Sequence, residues 1–472
     1  MLDSGLQLPS SATVNLLQAT LRDRVTGALV GAALGDAIGL YTEFLSAAHA
    51  AEAYPSRRFT LAGAPHPTPF KLDSHRAPKQ PGDWTDDTDH ALLLLLSFLH
   101  TARTTRTTKE ENDAEQKRRI EQLPPQPSNP SPLPSQQDLA RRLRVWASQG
   151  FRPLETMPLG LGRLVGTVLS TAGFEADPEQ VARAYWERTG RRVAPNGSLM
   201  RTHPLGAICA FREEGEAFEA AAALSRVTHV DPRCVVACVI GTGLVRALVR
   251  GEVAREEDVD AVVQRAVGWY RGTMRDHEGE LDEEELLRHV ALENGLDDLK
   301  LDEQAAIGYV YKTLGSGVHL LRLALRRMAD NKGALLEQSR LFEELITDLI
   351  MRGGDADTNA CFAGALLGAY LGYASLPDHW KHGLRHQDWL LSKCESLCQV
   401  LGLREGEYNG QEDRDTEAQG GKPAISEQDM EGRWMALQQT TLKKMEEAAK
   451  ASASKAGGSS WSLPWQRTKA KQ

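Results

Sequence analysis

Residues 353–364 read GGDADTNACFAG. Two carboxylates, Asp355 and Asp357, stand one residue apart, behind paired glycines and ahead of the apolar run ACFAGALLGAYLGY (360–373). The glycines permit backbone dihedrals closed to other residues. The run that follows has the composition and length of a buried helix. The fold turns on this pairing of a greasy helix with an acidic first turn. The same device stands far upstream, where 82–89 reads GDWTDDTD and opens onto HALLLLLSFL (90–99).

Capping a helix start takes one Thr or Asp oxygen. The upstream segment offers Asp83, Thr85, Asp86, Asp87, Thr88 and Asp89. Gathering that much like charge is unfavourable unless a cation offsets it. Each knot supplies two carboxylates and a hydroxyl: Thr85, Asp86 and Asp87 from one, Asp355, Asp357 and Thr358 from the other. Such a set suits two metal ions held side by side. Oxygen-only donors select a hard cation, Mg2+ or Mn2+, over zinc. The positive end of a helix dipole opposes a cation there, and four carboxylates outweigh it.

Outward from these knots the periodicity is helical. Examples are DPEQVARAYWERT (177–189), EAFEAAAALSRV (216–227) and PRCVVACVIGTGLVRALVRG (232–251). Runs of alternating Val, Ile and Thr between hairpin turns are missing, so a sheet has little to build on. The expectation is an all-α fold, with the candidate metal site at helix N-termini. A first helix from about Val14 to Leu40 carries TGALVGAALGDAIGL (26–40), whose small residues let helices approach closely. Residues 101–137, rich in Pro, Ser, Gln and charge, read as a disordered insertion. The acidic 275–303 stretch reads as an exposed excursion with a short helix. The helical domain then covers 14–404. Residues 405–472 read as a polar, mostly disordered tail holding one helix near 426–450 and two tryptophans, Trp461 and Trp465.

The 472 residues are 41% hydrophobic, 25% charged and 6% aromatic, ordinary values for a soluble globular chain. A net charge of −9 argues against nucleic-acid binding through bulk basicity. The apolar run Ala91 to Leu99 falls well short of the roughly 20 residues that cross a bilayer, so no membrane partner is expected. The N-terminus lacks the basic and apolar regions of a signal peptide. Cys234/Cys238 and Cys394/Cys398 read as small buried residues on helix faces, which fits a reducing cytoplasmic compartment. A core of this size can stand alone as a monomer.

Five motifs in order make the chain recognisable: GALVGAALGDAIGLYTEF (27–44), GDWTDDTDHALLL (82–94), NGSLMRTHPLG (196–206), THVDPRC (228–234) and GGDADTNACFAGALLGAYLG (353–372). Together they resemble the ADP-ribosylglycohydrolase family, which includes the dinitrogenase-reductase-activating glycohydrolase and the ADP-ribosyl-acceptor hydrolases. The resemblance implies a compact, orthogonal multi-helix bundle with two divalent metals. It also implies hydrolysis of the N- or O-glycosidic bond between ADP-ribose and an acceptor, which is a modified protein side chain or a small conjugate. Thr85, Asp86, Asp87, Asp355, Asp357 and Thr358 would ligate the metals. Glu43 matches the glutamate that relatives hold near the scissile bond, where a carboxyl group manages protons around an oxocarbenium-like state. Asn196, Gly197 and Ser198 would form a diphosphate- or ribose-binding turn, with PLGLG (158–162) as a second such loop. His229 would line the cleft. Asp231 either orients it or caps the helix beginning at Pro232, Asp36 either supports the metal ligands or caps a helix end, and Arg201 pairs with the acidic site or with phosphate. The alternative is an inert member, binding ADP-ribose or a nucleotide without turnover, or a crystallin-like structural protein.

Overall fold

The computed structural model describes residues 11–116, 132–274, 281–330 and 335–455. Among these are seventeen α-helices, five short 3-10 turns and three isolated bridges, with no β-strand. The helices that carry the site and its frame are α1 (Ser11–Gly39), α2 (Asp86–Gln116), α3 (Gln136–Gln149), α4 (Pro232–Arg250), α5 (Val310–Asp330) and α6 (Ala356–Leu371); α7 (Glu427–Lys455) lies near the C-terminus. The all-α expectation holds.

The middle of the core is α4. Its mean hydropathy of 1.6 over an 18-residue window would suit a membrane span, yet 94% of that window is buried inside the protein. Around it, α1 and α6 pack backbone to backbone. Gly27, Gly31, Gly35 and Gly39 recur every four residues and so form one stripe along α1. A Cβ on Gly31 would stand 2.4 Å from the carbonyl oxygen of Gly364, and one on Gly27 would stand 2.2 Å from that of Gly368. Gly35 meets the carbonyl of Ala360 at 1.9 Å, and Gly39 meets the Cα of Asp357 at 2.3 Å. No side chain fits such gaps. Residues 27 to 39 run against 368 to 357, so the helices are antiparallel, and the end of α1 arrives at the start of α6. That crossing is what puts Glu43 beside Asp355 and Asp357.

The junction is fixed by main-chain pairing. The Phe44 amide donates to the Gly354 carbonyl at 2.7 Å, and the Gly354 amide donates to Leu45 at 2.9 Å. Gly353 and Gly354 have φ of 68° and 73°, and an added Cβ would lie 2.1 Å from the Leu45 carbonyl and 2.0 Å from that of Leu301. Only glycine meets both demands at this crossing.

Three expectations about organisation are corrected. First, α2 runs to Gln116, well into the 101–137 segment read as an insertion. Its polar residues contain no helix breaker before Pro124, so helix can continue; 117–131 lie outside the described residues. Second, the acidic 283–303 region has the expected short helix, Glu283–Val290, and exposes much of its acid, but it is anchored to the core and is not a free excursion. Leu286, Val290, Leu296, Leu299 and Leu301 are all buried, and the acid lies between them. Third, the chain from 405 to 424 belongs to the main unit, which comprises the residues up to 68 and 81–424. Polar contacts hold it there: Arg142 donates to the Thr416 carbonyl at 2.7 Å, Trp389 donates to Asp415 at 2.7 Å, and Lys393 pairs with Asp413. A second unit combines 69–80 with the chain from 425 and contains α7, in which Lys444 donates to the Ala77 carbonyl at 3.0 Å. Trp461 and Trp465 lie outside the described residues. The six cysteines are free and buried.

Candidate metal centre

Glu43, four residues beyond the end of α1, is buried. It turns a carboxylate oxygen toward Asp355 and Asp357, and one oxygen from each of the three lies within 4.8 Å of the others. The second knot faces the first. Asp87 is buried at the start of α2, and its carboxyl and those of Asp355 and Asp357 lie close enough to raise one another. The two acidic segments, some 270 residues apart in sequence, therefore share one site.

Electrostatics at Asp87, Asp355 and Asp357 are those of crowded carboxylates. Burial, then the neighbouring Glu43, pushes Asp355 up to about 6, against the hydrogen bond from Asn196. Burial followed by Glu43, Asp87, Asp355 and Asp36 pushes Asp357 well above the carboxylate range. Asp87 is raised in the same way, by burial and then by Asp36, Asp86 and Asp355. Oδ1 of Asp87 and Oδ1 of Asp357 are both buried without a hydrogen-bond partner. Among the described residues no Lys or Arg forms an ion pair with Asp87, Asp355 or Asp357. Burying carboxylates in this way is costly unless they are paired or hold a metal. An all-oxygen donor set with orphaned buried oxygens fits hard divalent cations.

Asp36 has a defined task. Near the end of α1, it accepts from the Thr85 amide at 2.9 Å, the Thr88 amide at 3.0 Å and the Thr88 hydroxyl at 2.6 Å. It thus caps α2 from a different helix, and Asp86 and Asp87 are spared that role. Thr85 in turn donates its hydroxyl to Asp87 at 3.0 Å.

The remaining sequence candidates separate. Asn196, expected on the substrate, donates to Asp355 Oδ2 at 2.8 Å and to the Thr313 hydroxyl at 2.9 Å, and so orients a ligand of the cluster. Thr313 passes its own proton to Asn359 Oδ1 at 2.7 Å, so α5 and α6 complete the chain of bonds. Ser198, whose main-chain amide rather than side chain is the group expected to face phosphate, buries its hydroxyl, which accepts from Ser225 at 3.1 Å and from Cys238 at 3.3 Å. Its hydroxyl serves the core. A Cβ on Gly197 would sit 3.2 Å from the His229 ring, so that ring packs behind the turn. His229 is buried, shares a 2.7 Å hydrogen bond between Nδ1 and the Thr228 hydroxyl, and is held neutral by burial and by Arg201. Asp231 does not orient it. Asp231 caps α4 through the Arg233 amide at 3.0 Å and accepts from Trp186 at 2.8 Å. Arg201 is fully buried and bonds to no acid: it braces the 196–198 turn from behind by donating to the Gly197 carbonyl, and donates also to the Leu224 carbonyl and the Thr228 hydroxyl.

Two glycines border the carboxylates. Gly160 of PLGLG, with φ of 96°, would place a Cβ 2.0 Å from Asp86 Oδ1. Gly308 would place one 3.1 Å from Asp355 Oδ2, while its carbonyl accepts from the Asn196 amide at 3.0 Å. Sequence reading missed Gly308, Thr313 and Asn359, because a single Gly or Thr in a helical chain carries no local signal.

The family model described as ADP-ribosylglycohydrolase matches residues 17–408. An uncharacterized protein of Archaeoglobus fulgidus is 23% identical over 371 residues, covering 78% of this chain and 94% of that one. The ADP-ribosylarginine hydrolase Tri1 of Serratia proteamaculans is 23% identical over 383 residues, 79% of each chain. A solved structure titled ADP-ribosylglycohydrolase-related protein complex has a TM-score of 0.49 at 22% identity, covering 81% of this chain and 99% of that one. On the family match across most of its length, the chain belongs to the ADP-ribosylglycohydrolase family of hydrolases.

Proposed function

We propose that this protein is a metal-dependent hydrolase that cleaves the glycosidic bond between ADP-ribose and an acceptor on an ADP-ribosylated protein. The observation that carries this reading is the convergence of Glu43, Asp355 and Asp357 within 4.8 Å of one another, with both aspartates raised above the ordinary carboxylate range. Thr85, Asp86, Asp87, Asp355, Asp357 and Thr358 would hold two divalent cations, Mg2+ or Mn2+. When bound, these supply positive charge for ribose hydroxyls and lower the pKa of a coordinated water. Glu43 manages the proton of the attacking water or the departing acceptor as positive charge develops on the sugar. Asn196 keeps the Asp355 carboxylate turned to the site, and Asp36 holds the start of α2 in place. The retention of all six ligand positions together with Glu43 favours turnover over inert binding.

The Serratia relative makes the arginine linkage the first acceptor to assay. The experiment is hydrolysis by purified protein with Mg2+ or Mn2+ of a panel of ADP-ribosyl-arginine, ADP-ribosyl-serine and O-acetyl-ADP-ribose. Release of ADP-ribose from any of them, lost on chelation, supports the reading. Tight ADP-ribose binding with no release from the whole panel would replace it with the inert alternative.

A further inference from the structure

The carboxylates assigned to the metals are held by different means. The Thr85 hydroxyl bonds Asp87 at 3.0 Å, and Asn196 bonds Asp355 at 2.8 Å. Asp86, half-buried, meets main chain. A Cβ on Gly160 would stand 2.0 Å from Asp86 Oδ1 and 2.7 Å from its Cγ. The carboxylate therefore rests against the bare backbone of the 158–162 loop, where any side chain would displace it. The φ of 96° at Gly160 is also one that L side chains rarely adopt. A wall of main chain limits the rotamers open to Asp86 and so sets where its oxygens point.

That wall is braced from far along the sequence. The chain leaves α3 at Gly150, where an added Cβ would lie 1.8 Å from the Thr156 carbonyl oxygen. Phe151 and Thr156 then exchange main-chain hydrogen bonds of 3.1 and 3.3 Å, which closes a turn. Residues 420–423 clasp this turn. Lys422 donates to the carbonyls of Arg152 at 3.0 Å and Pro153 at 3.1 Å, and Arg152 donates to the Pro423 carbonyl at 2.7 Å. Glu155 pairs with both cations, at 2.7 Å from Arg152 and 3.1 Å from Lys422. Gly420 approaches so closely that a Cβ would lie 2.8 Å from the Pro153 nitrogen. Only Met157, Pro158 and Leu159 separate Thr156 from Gly160, and Pro158 fixes its own φ, so the link has little slack. Residues 420–423 lie outside the 17–408 stretch that the family model matches, so the brace comes from beyond it.

We propose that Gly160 is a positioning residue whose backbone aims the Asp86 carboxylate for metal binding, and that Lys422 keeps Gly160 in place through the 151–156 turn. This rests on the metal-dependent reading above. The test titrates Mn2+ calorimetrically into the full chain as wild type, Gly160→Ala, Lys422→Met and Gly173→Ala, and records metal-free melting temperatures. Gly173 has φ of 83° with open space around it, so its alanine variant carries the backbone strain alone. Gly160→Ala should weaken Mn2+ binding about tenfold and Lys422→Met severalfold, with Gly173→Ala as wild type. In the metal-free protein, Gly160→Ala should lower the melting temperature more than Gly173→Ala does. That excess should vanish when Asp86→Ala is added, because the clash is then relieved. Wild-type Mn2+ affinity in Gly160→Ala or in Lys422→Met would overturn the proposal alone, as would an excess that persists without the Asp86 side chain. If Gly160→Ala does not fold, the Lys422→Met titration decides. A wild type that binds no Mn2+ overturns the metal-dependent reading and this proposal with it.

Discussion

Two sets of carboxylates in this chain are treated in opposite ways. Asp138, Asp231 and Asp413 are drawn out of solvent, and each sits against a cation of its own: Arg142 Nε at 2.6 Å, Arg233 Nη2 at 2.8 Å, and Lys393. At Asp138 burial raises the carboxyl, but the charge and hydrogen bond of Arg142, with a hydrogen bond from Ser97, bring it below its ordinary value. Asp87 and Asp357 are buried, and Asp355 is half-buried, among other carboxylates, and all three are raised. Where the fold uses an acid for its own stability, it supplies the countercharge. Where it withholds one, the proposed function has the acids await an external cation.

The comparison can be broken most severely at Asp357. Asp357→Asn should lower hydrolysis by about 10³-fold or more, the rate equivalent of several kcal/mol of lost charge stabilisation. The same variant should make the metal-free protein more stable by ~1–3 kcal/mol in urea titration, since it removes a like charge from a buried cluster. A metal-free variant less stable than wild type would contradict the contrast.

Asp138→Asn should do the reverse and destabilise by ~3 kcal/mol, because the buried Arg142 guanidinium loses its partner. Asp138 is depressed in the folded state, so its contribution is present above the unfolded pKa of about 4 and is lost as pH falls through the folded value. Below that window the variant and wild type should converge. Denaturant midpoints measured between pH 7 and pH 3 would check it.

Gly31→Ala places a methyl 2.4 Å from the Gly364 carbonyl and should cost ~2 kcal/mol while separating α1 from α6. Because that seam delivers Glu43 to the cluster, activity should fall beyond what the stability loss explains, and turnover per folded molecule would measure the excess. The smallest effect is expected at Asn196. Asn196→Ala frees Asp355 from its 2.8 Å hydrogen bond and should weaken divalent-ion affinity about tenfold with the fold intact.

Much of this arrangement is legible in the sequence, and the reason differs from part to part. The acidic knots are visible because more carboxylates stand at each helix start than capping requires. The α1 seam is visible because small residues crowd 26–40, and Gly364, Gly368 and Gly372 repeat the four-residue spacing of Gly27, Gly31, Gly35 and Gly39, although nothing in either stretch says that the two seams meet. What stays hidden depends on encounters between distant residues. Nothing around Asn196 indicates that it faces Asp355, 159 positions away. Arg201 looks like a ligand for acid or phosphate and instead satisfies main-chain carbonyls deep in the core, because a guanidinium's five donors suit either use. The 405–424 segment has the composition of a loose tail, yet Lys393, Arg142 and Trp389 supply the bonds that order it. Composition records polarity, and only the fold says whether that polarity is paired.

The account stands most directly on divalent-ion binding by the buried carboxylates. Calorimetric titration of Mn2+ into wild type and Asp357→Asn, with melting temperatures taken before and after, tests it. The account predicts two ions per wild-type chain with a rise in melting temperature. Asp357→Asn should start from a higher metal-free melting temperature, bind fewer ions and gain less on loading. Identical titrations for the two proteins, or no binding by wild type, would contradict it.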